Sequence, residues 1–460
     1  MFTGQHALNL QKTTGGKSHF RATIMTTTTH LLNRRRFLPL FCTQLLNAFN
    51  DNLYKTAMVL FVVYSVYDDQ SQEGIFSAIA TGLFMLPYFL LSAVAGQLAD
   101  MRDKAKIIRT VKMCEIGLMI IGAIGLYMAW QGILVDSFAI PLLLFALFLT
   151  GIQSTFLGPI KYAILPQHLK KGEVLAGTGL VEAGTYIAIL AGTILAGWID
   201  VEWAAVGIII TAIVGYISSR QIPAAPPMGT ITKLDWNVWR ASSQLIRSTM
   251  HDRQIFYAII AISFFWTIGA VLTIQFPPLA KNTLMASKEV ASLFLAVFSV
   301  GIAIGSLSIN ALLKGKVSAR FAPASVIAMG VFVVAFYAVC RIWQANAPDE
   351  LLGVMDFLSW PMAAVLLLCL LGISISGGMF VVPLYAFLTT RVAPDQAART
   401  IAANNIVNSG AMVSGALIAM SLSIFGVPIA EQLLLSAGMC IVSAWLGKRL
   451  HKAELADQTA

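Results

Sequence analysis

The sequence predicts an all-α membrane protein of twelve transmembrane helices arranged as two pseudo-symmetric six-helix bundles. Three observations lead there. The 460 residues are 57% hydrophobic and 12% charged, with a mean hydropathy of +0.77, far from the composition of a soluble domain. Twelve apolar stretches fill nearly the whole chain, each long enough for the ~20 residues that cross hydrocarbon as a helix. The two halves of the chain also echo one another.

Taken in order, the predicted spans are 37–64, 75–98, 107–130, 138–165, 174–199 and 203–221, then 255–280, 289–312, 323–344, 360–388, 401–424 and 428–447. The long connection from Arg220 to Arg253 carries Pro223, Pro226, Pro227 and a basic stretch with Trp236, Trp239, Arg240 and Arg247. It divides six spans from six and reads as a linker with an interfacial helix. The expected organisation is a disordered tail (1–33), a first bundle (34–222), the linker (223–253), a second bundle (254–448) and a C-terminal tail (449–460).

Charge sets the topology. Arg102, Lys104, Lys106, Arg109, Lys170, Lys171, Lys314, Lys316, Arg320, Arg391 and Arg399 fall on one set of connections, while Asp68, Asp69, Glu73, Asp136, Asp200, Glu202, Asp349 and Glu350 fall on the other. All but five of the 31 basic residues are assigned inside; Lys281, Lys288 and Arg341 go outside and Lys55 and Lys161 lie within spans. The asymmetry places both termini in the cytoplasm. The net charge of +9 is scattered between spans instead of gathered on a domain, so it fits anionic lipid and topology signals and excludes nucleic acid as a partner.

Several chemistries are excluded as well. Five cysteines sit singly without a C-x-x-C pair, and the six histidines fall in tails or inner connections. No metal, disulfide or histidine-based catalytic constellation is expected, and no cofactor. Gly16-Lys17-Ser18 lacks the first glycine and preceding strand of a phosphate loop. Asn33-Arg34-Arg35-Arg36 imitates a twin-arginine signal, but the following run is span-length, polar in its middle and without a cleavage pattern. Residues 1–30 are polar and threonine-rich, and Met25 is a candidate start.

The first span is the most informative. Asn47, Asp51 and Lys55 recur every four positions with Asn50 and Tyr54 beside them, one polar stripe on a helix. Ionised groups at bilayer depth cost several kcal/mol unless they face a partner or a wet cavity. Gln153 and Lys161 share a stripe in the fourth span, Thr178, Glu182 and Tyr186 in the fifth, and Asn404, Asn405 and Asn408 cluster in the eleventh. Alternatives stand beside each: mutual neutralisation of Asp51 and Lys55, snorkelling of Lys161, interhelical glue from the asparagines.

Gly151 to Leu165 in span four echoes Gly372 to Leu388 in span ten, and Leu180-Val181-Glu182-Ala183-Gly184 echoes Ile406-Val407-Asn408-Ser409-Gly410. Paired echoes at matching places argue for a duplicated six-span unit. After span two, Gly96-Gln-Leu-Ala-Asp100-Met-Arg102-Asp-Lys104 resembles the loop signature of the major facilitator superfamily, with Met101 in place of arginine and Asp103 in place of glycine. Gly96 is expected to let helices approach, and Asp100, Arg102 and Lys104 to form a charge-assisted latch.

Asn47-Ala-Phe-Asn50-Asp51-Asn52-Leu-Tyr54-Lys55, the run Gly158-Pro159-Ile-Lys161-Tyr162 to Pro166, and Gly179-Leu-Val-Glu182-Ala-Gly184 together resemble the bacterial lysophospholipid transporter family, a branch of that superfamily. The resemblance runs from Arg34 to about Leu446. It implies the facilitator fold and inward flipping of lysophosphatidylethanolamine-like lipids across the inner membrane, with any acyltransferase/acyl-carrier-protein synthetase a separate partner of a monomeric carrier. It also implies that spans one, four, five, seven, ten and eleven line a central cavity. A zwitterionic headgroup needs a cation for its phosphate, Lys55 or Lys161, and a carboxylate for its amine, Asp51 or Glu182. Met-, Phe- and Gly-rich faces would take the acyl chain, and Gly179, Gly184, Gly192 and Gly197 would let a seam between halves open for lateral entry. The runner-up is a proton-coupled exporter of amphipathic drugs, protonated at Asp51 or Glu182. A lipid-modifying enzyme is disfavoured, since no Gly-x-Ser-x-Gly elbow or zinc motif is present.

Overall fold

The computed structural model describes residues 31–170, 173–227, 234–313, 318–346, 350–391 and 397–459. The expectations for residues 1–30 lie outside these. The described residues form helices joined by turns and short loops, with an isolated bridge between Ala286 and Leu352.

The long helices are α1 (Leu38–Ser65), α2 (Gln70–Met101), α3 (Lys104–Trp130), α4 (Ile140–Ala163), α5 (Val174–Trp198) and α6 (Val201–Arg220), followed by α7 (Arg253–Asn282), α8 (Lys288–Leu312), α9 (Ala322–Gln344), α10 (Pro361–Thr390), α11 (Ala397–Ile424) and α12 (Ile429–Thr459). Among the described residues, ten helices are long and apolar enough to cross a membrane, and this is a multi-pass membrane protein. α1 has the length, at 28 residues, but its run Asn50-Asp51-Asn52 with Lys55 lowers its hydropathy. α5 contributes the shorter apolar stretch Gly184–Trp198.

Helix starts follow capping chemistry. The side chains of Asp69, Asp103, Asn237 and Asp252 each accept from a backbone N–H in the first turn of the helix that follows, satisfying donors that have no intrahelical partner. Proline sits in the first turn of α1, α9 and α10, where its missing N–H costs nothing.

The same pairings occur twice. α1 packs on α5 and α6, α2 on α4, and α3 on α4 and α6; α7 packs on α11 and α12, α8 on α10, and α9 on α10 and α12. Glycine permits the closest approaches. A Cβ on Gly192 of α5 would meet the Phe49 carbonyl oxygen of α1 at 2.5 Å, and one on Gly415 of α11 would meet Thr267 of α7 at 2.5 Å. Apolar burial follows the same division. One core cluster gathers Ile255 to Leu450 with Leu60 as its only member from α1, and another gathers Leu53 to Ala212. A small cluster of Ala78, Ile274, Ala416 and Ala419 joins them where α2 meets α7 and α11.

The end carrying the α1–α2, α5–α6, α7–α8 and α11–α12 connections is the one the charge pattern assigns to the outside, and is called the outer end. α5 and α8 meet there: Ser292 of α8 donates to the Thr193 carbonyl (2.9 Å), and a Cβ on Gly197 would meet Ser292. Further in, Tyr186 and Ile187 of α5 and Val300 and Ile304 of α8 are exposed.

The linker contains a helix, Val238–Thr249, resting on α2 and α11. Val238, Ala241, Ser242, Leu245 and Ile246 are covered, Arg240, Gln244 and Arg247 are exposed, and Trp239 meets Phe89 of α2 edge-on at 5.9 Å. The expected tail at 449–460 is instead a continuation of α12 through Thr459. Glu454 holds it by accepting from Ala319 N (3.1 Å) and Ser318 Oγ (3.2 Å), which turns polar residues into the outermost turns of a packed helix.

Candidate functional site

The middle of α1 is built inward. Asn47, Asn50 and Asp51 are nearly or fully buried, and their partners come from α3 and α4. Asn47 Nδ2 donates to Asp51 Oδ2 (3.1 Å) and to Ser154 Oγ (3.4 Å), and the Ser154 hydroxyl donates to the same Asp51 oxygen. Asn47 Oδ1 accepts from Gln153 Nε2 (2.7 Å) and from Lys112 Nζ (3.3 Å). Gln153 spends its other N–H on Glu115 Oε2 (3.1 Å), and Asn50 donates to Glu115 Oε1 (2.9 Å). Lys112 and Glu115 form an ion pair one turn apart in α3, both side chains fully buried. A buried charge is tolerable only when paired and hydrogen-bonded, and every oxygen of Glu115 has a donor here.

Two atoms stand out from this saturation. Asp51 Oδ1 and Asn50 Oδ1 are buried and accept no hydrogen bond among the described residues. One turn beyond Asp51, half-buried Lys55 holds its Nζ 5.4 Å from the centre of the Phe84 ring of α2. Among the described residues no carboxylate lies within ion-pair distance of it, so the mutual neutralisation of Asp51 and Lys55 is not formed as a direct pair. Phe84 in turn meets Tyr88 at a tilt, ring centres 6.1 Å apart.

In the second half the sequence-predicted polar groups are neutral. Ser263 of α7 donates to Asn408 Oδ1 (2.7 Å), and the Tyr385 hydroxyl of α10 receives Asn408 Nδ2 (3.3 Å) and Trp266 Nε1 (2.8 Å). Asn404, one turn before Asn408, is fully buried with neither amide atom bonded among the described residues. Asn405 is exposed, because adjacent positions on a helix point about 100° apart. The expected cluster of three is therefore a stripe of two.

The other sequence-predicted residues separate. Lys161 is half-buried near the inner end of α4. The side chains of Tyr162, Glu182 and Asp100 lie outside the described residues. Gly96 does not mediate a close approach: a Cβ there would meet nothing within 4 Å. Arg102 is exposed and Lys104 is buried. The α2–α3 turn is held by Asp103, which caps α3 at Lys106 N (3.1 Å) and accepts from Ala225 N (3.3 Å), while Arg109 donates to the Ile222 carbonyl.

Sequence reasoning missed Lys112 and Glu115. Lys112 was assigned with the inner basic residues, yet it is sealed beside α1 and against Gly215 of α6, where a Cβ would meet its Cε at 2.8 Å. The available signal was an acid and a base at i,i+3 inside a predicted span.

The chain matches the Major Facilitator Superfamily over residues 40–416. It is similar to the protein named lysophospholipid transporter LplT of Serratia proteamaculans, 27% identical over 370 residues covering 78% of this chain and 80% of that one. The protein of the same name from Yersinia pestis is 28% identical over 369 residues, 78% of this chain and 79% of its own. Among solved structures, a bacterial homologue of the lysosomal transporter Spinster in an inward-facing conformation aligns with a TM-score of 0.63 at 14% identity, covering 92% of this chain and 98% of that one. A D-xylose–proton symporter aligns at 0.63 with 13% identity, covering 90% and 96%. These structures share the fold.

Proposed function

This chain belongs to the major facilitator superfamily, and on that premise we propose that it carries lysophospholipids, of the lysophosphatidylethanolamine type, toward the cytoplasmic leaflet of a bacterial inner membrane. The repeated helix pairings and the division of the core support two six-helix bundles, with α1 and α5 completing twelve spans. Alternating access arises as these bundles rock about their shared seam.

The observation that carries the reading is Lys55. An ammonium held at membrane depth beside an aromatic face, without a carboxylate in ion-pair reach among the described residues, is costly unless it faces a wet cavity or an anionic ligand. A lipid phosphate meets that need. Asp51 lies on the same stripe, with Oδ1 unbonded among the described residues, and takes the amine of the headgroup. Residues at i,i+4 are neighbours on a helix face, a separation that the two-carbon link between phosphate and amine can bridge. The exposed inner stretch of α5 and α8 offers the acyl chain a sideways path. Lys161, Tyr162, Glu182, Asn404 and Asn408 complete the candidate lining. The carrier acts as a monomer.

The test is uptake of labelled lysophosphatidylethanolamine by proteoliposomes containing the purified protein. Saturable uptake that an excess of unlabelled lysolipid competes away supports the proposal. Absence of lysolipid uptake together with proton-driven movement of amphipathic drugs would replace it with the exporter reading.

A further inference from the structure

The sealed charge pair in α3 does more than fill space. Asn47 uses all four of its hydrogen-bonding positions, two acceptor sites on Oδ1 and two donors on Nδ2, the full capacity of a side-chain amide. Its orientation is forced. A flipped amide would aim N–H at the Lys112 ammonium and at the donating Gln153 N–H, and would set a carbonyl oxygen against Asp51. Gln153 is fixed in the same way, since its second N–H is committed to Glu115 Oε2. Polarity therefore runs one way, from Lys112 and Glu115 through Asn47 and Gln153 to Asp51 Oδ2. Asp51 is 6% exposed, and its other oxygen, Oδ1, has no donor among the described residues.

We infer that Lys112 and Glu115 are positioning residues which, through Asn47 and Gln153, keep Asp51 Oδ2 occupied and reserve Asp51 Oδ1 for the ammonium of an amine-bearing lysolipid headgroup. The inference rests on the lysophospholipid reading above and deepens it: headgroup discrimination is set by two α3 residues that touch no substrate. With the Lys112 ammonium gone, Asn47 loses its charged anchor. Its carbonyl then keeps only the Gln153 N–H, and Asp51 Oδ2, still held by Ser154, is positioned less tightly, which loosens the hold on Oδ1. The phosphate contact at Lys55 is left alone.

The experiment compares lysophosphatidylethanolamine with lysophosphatidylglycerol, which has the phosphate and lacks the amine, in proteoliposomes of wild type and Lys112→Met. The expected result is a KM for the ethanolamine lipid raised at least fivefold, with the KM for the glycerol lipid changed less than twofold and kcat preserved for both. Should Lys112→Met fail to fold because it strands Glu115, the double variant Lys112→Met/Glu115→Gln removes both charges and is measured instead, with the same split expected. Equal loss for the two headgroups, or loss for neither, overturns the positioning role and leaves lysolipid transport standing. If wild type moves neither lipid, the transport reading fails. The positioning claim is then decided by infrared spectroscopy: the carboxylate band identified by its disappearance in Asp51→Asn must shift in the Lys112→Met protein, and an unshifted band overturns it.

Discussion

Lys281 Nζ of α7 sits 2.7 Å from Glu73 Oε1 of α2 and 2.7 Å from the carbonyl oxygen of Val63 in α1, with Tyr67 O as a third acceptor. The carbonyls at a helix C-terminus have no intrahelical partner and carry partial negative charge, so a lysine there satisfies the end of α1 and the buried Glu73 carboxylate at once. Asn282 donates to the other Glu73 oxygen. Tyr64 reaches back to the Ala286 carbonyl at 2.9 Å, and Ser71 donates to the Ser423 carbonyl. These bonds cross between the two sets of helices, and all of them lie at the outer end.

Opening the outer end requires breaking this knot. Hydrogen bonds to charged groups contribute about 1.5–3 kcal/mol each, so Lys281→Met should shift the balance toward the outward-open form by tenfold or more. A cysteine placed at Ser263, in a background lacking the five natural cysteines, reads the change. Membrane-impermeant maleimide added from outside should label it faster in Lys281→Met than in the parent. Equal labelling rates would show that the knot does not gate access.

Close backbone approach gives a second prediction. A Cβ on Gly378 of α10 would lie 2.3 Å from the Ile302 carbonyl oxygen of α8, and one on Gly305 of α8 would lie 2.0 Å from the Ile375 carbonyl oxygen. Neither neighbour is a side chain that can swing aside. Gly378→Val should cost at least about 1–3 kcal/mol and lower the melting temperature by several degrees. Gly96→Ala, at a site where nothing crowds, should be neutral or stabilising by up to ~1 kcal/mol, the helix-propensity difference. Thermal unfolding in detergent compares the two, and a destabilised Gly96→Ala would restore the close-approach role that the loop motif implied.

How far the sequence alone revealed the site depends on what kind of signal each residue left. Asp51 and Lys55 were legible because a four-residue period of polar groups inside an apolar span has few explanations. Lys112 and Glu115 were not, because topology rules absorb a lysine near the inner end of a span, and nothing in the chain shows that α1 and α4 close over it. Asn405 was grouped with Asn404 and Asn408 by proximity in the chain, whereas the 100° step of the helix separates it. The loop motif drew attention to Asp100, whose side chain lies outside the described residues, and away from Asp103, which caps α3 one residue before its first turn. Each predicted span overlaps a helix among the described residues; helix ends moved, most at α12, where Glu454 finds a partner 135 positions earlier.

Lys55 yields a prediction that separates charge from geometry. Lys55→Arg keeps a cation that stacks on an aromatic ring and should retain most uptake. Lys55→Met removes a charged contact of about 1.5–3 kcal/mol, roughly ten- to a hundredfold in the KM for lysophospholipid. A monoacylglycerol, which lacks phosphate, should bind wild type and Lys55→Met equally in a competition assay. A methionine variant that transports lysophospholipid normally would sink the assignment of Lys55 to the phosphate.

The inner end of α5 offers a pH prediction outside the membrane. Glu173 accepts from Lys170 N (2.9 Å) and pairs with Arg36 at 2.7 Å, tying the start of α1 to the start of α5. The backbone hydrogen bond from Lys170 holds its carboxyl below the usual glutamate range; burial opposes this, and the Arg36 guanidinium adds to the lowering. A carboxylate whose pKa is depressed in the folded state contributes stability that is present above the unfolded value, about 4.3, and is lost as pH falls through the folded value. Arg36 is partly exposed, which limits the pair to the modest range of surface ion pairs, screened by salt. Amide hydrogen exchange at residues 37–41 and 174–178 should therefore be steady from neutral pH down to about 5 once corrected for intrinsic rates, and rise about two- to fivefold below the ordinary glutamate range. Glu173→Gln should show the faster exchange already at neutral pH, with no further acid step. An acid step that persists in Glu173→Gln would assign the transition to another group.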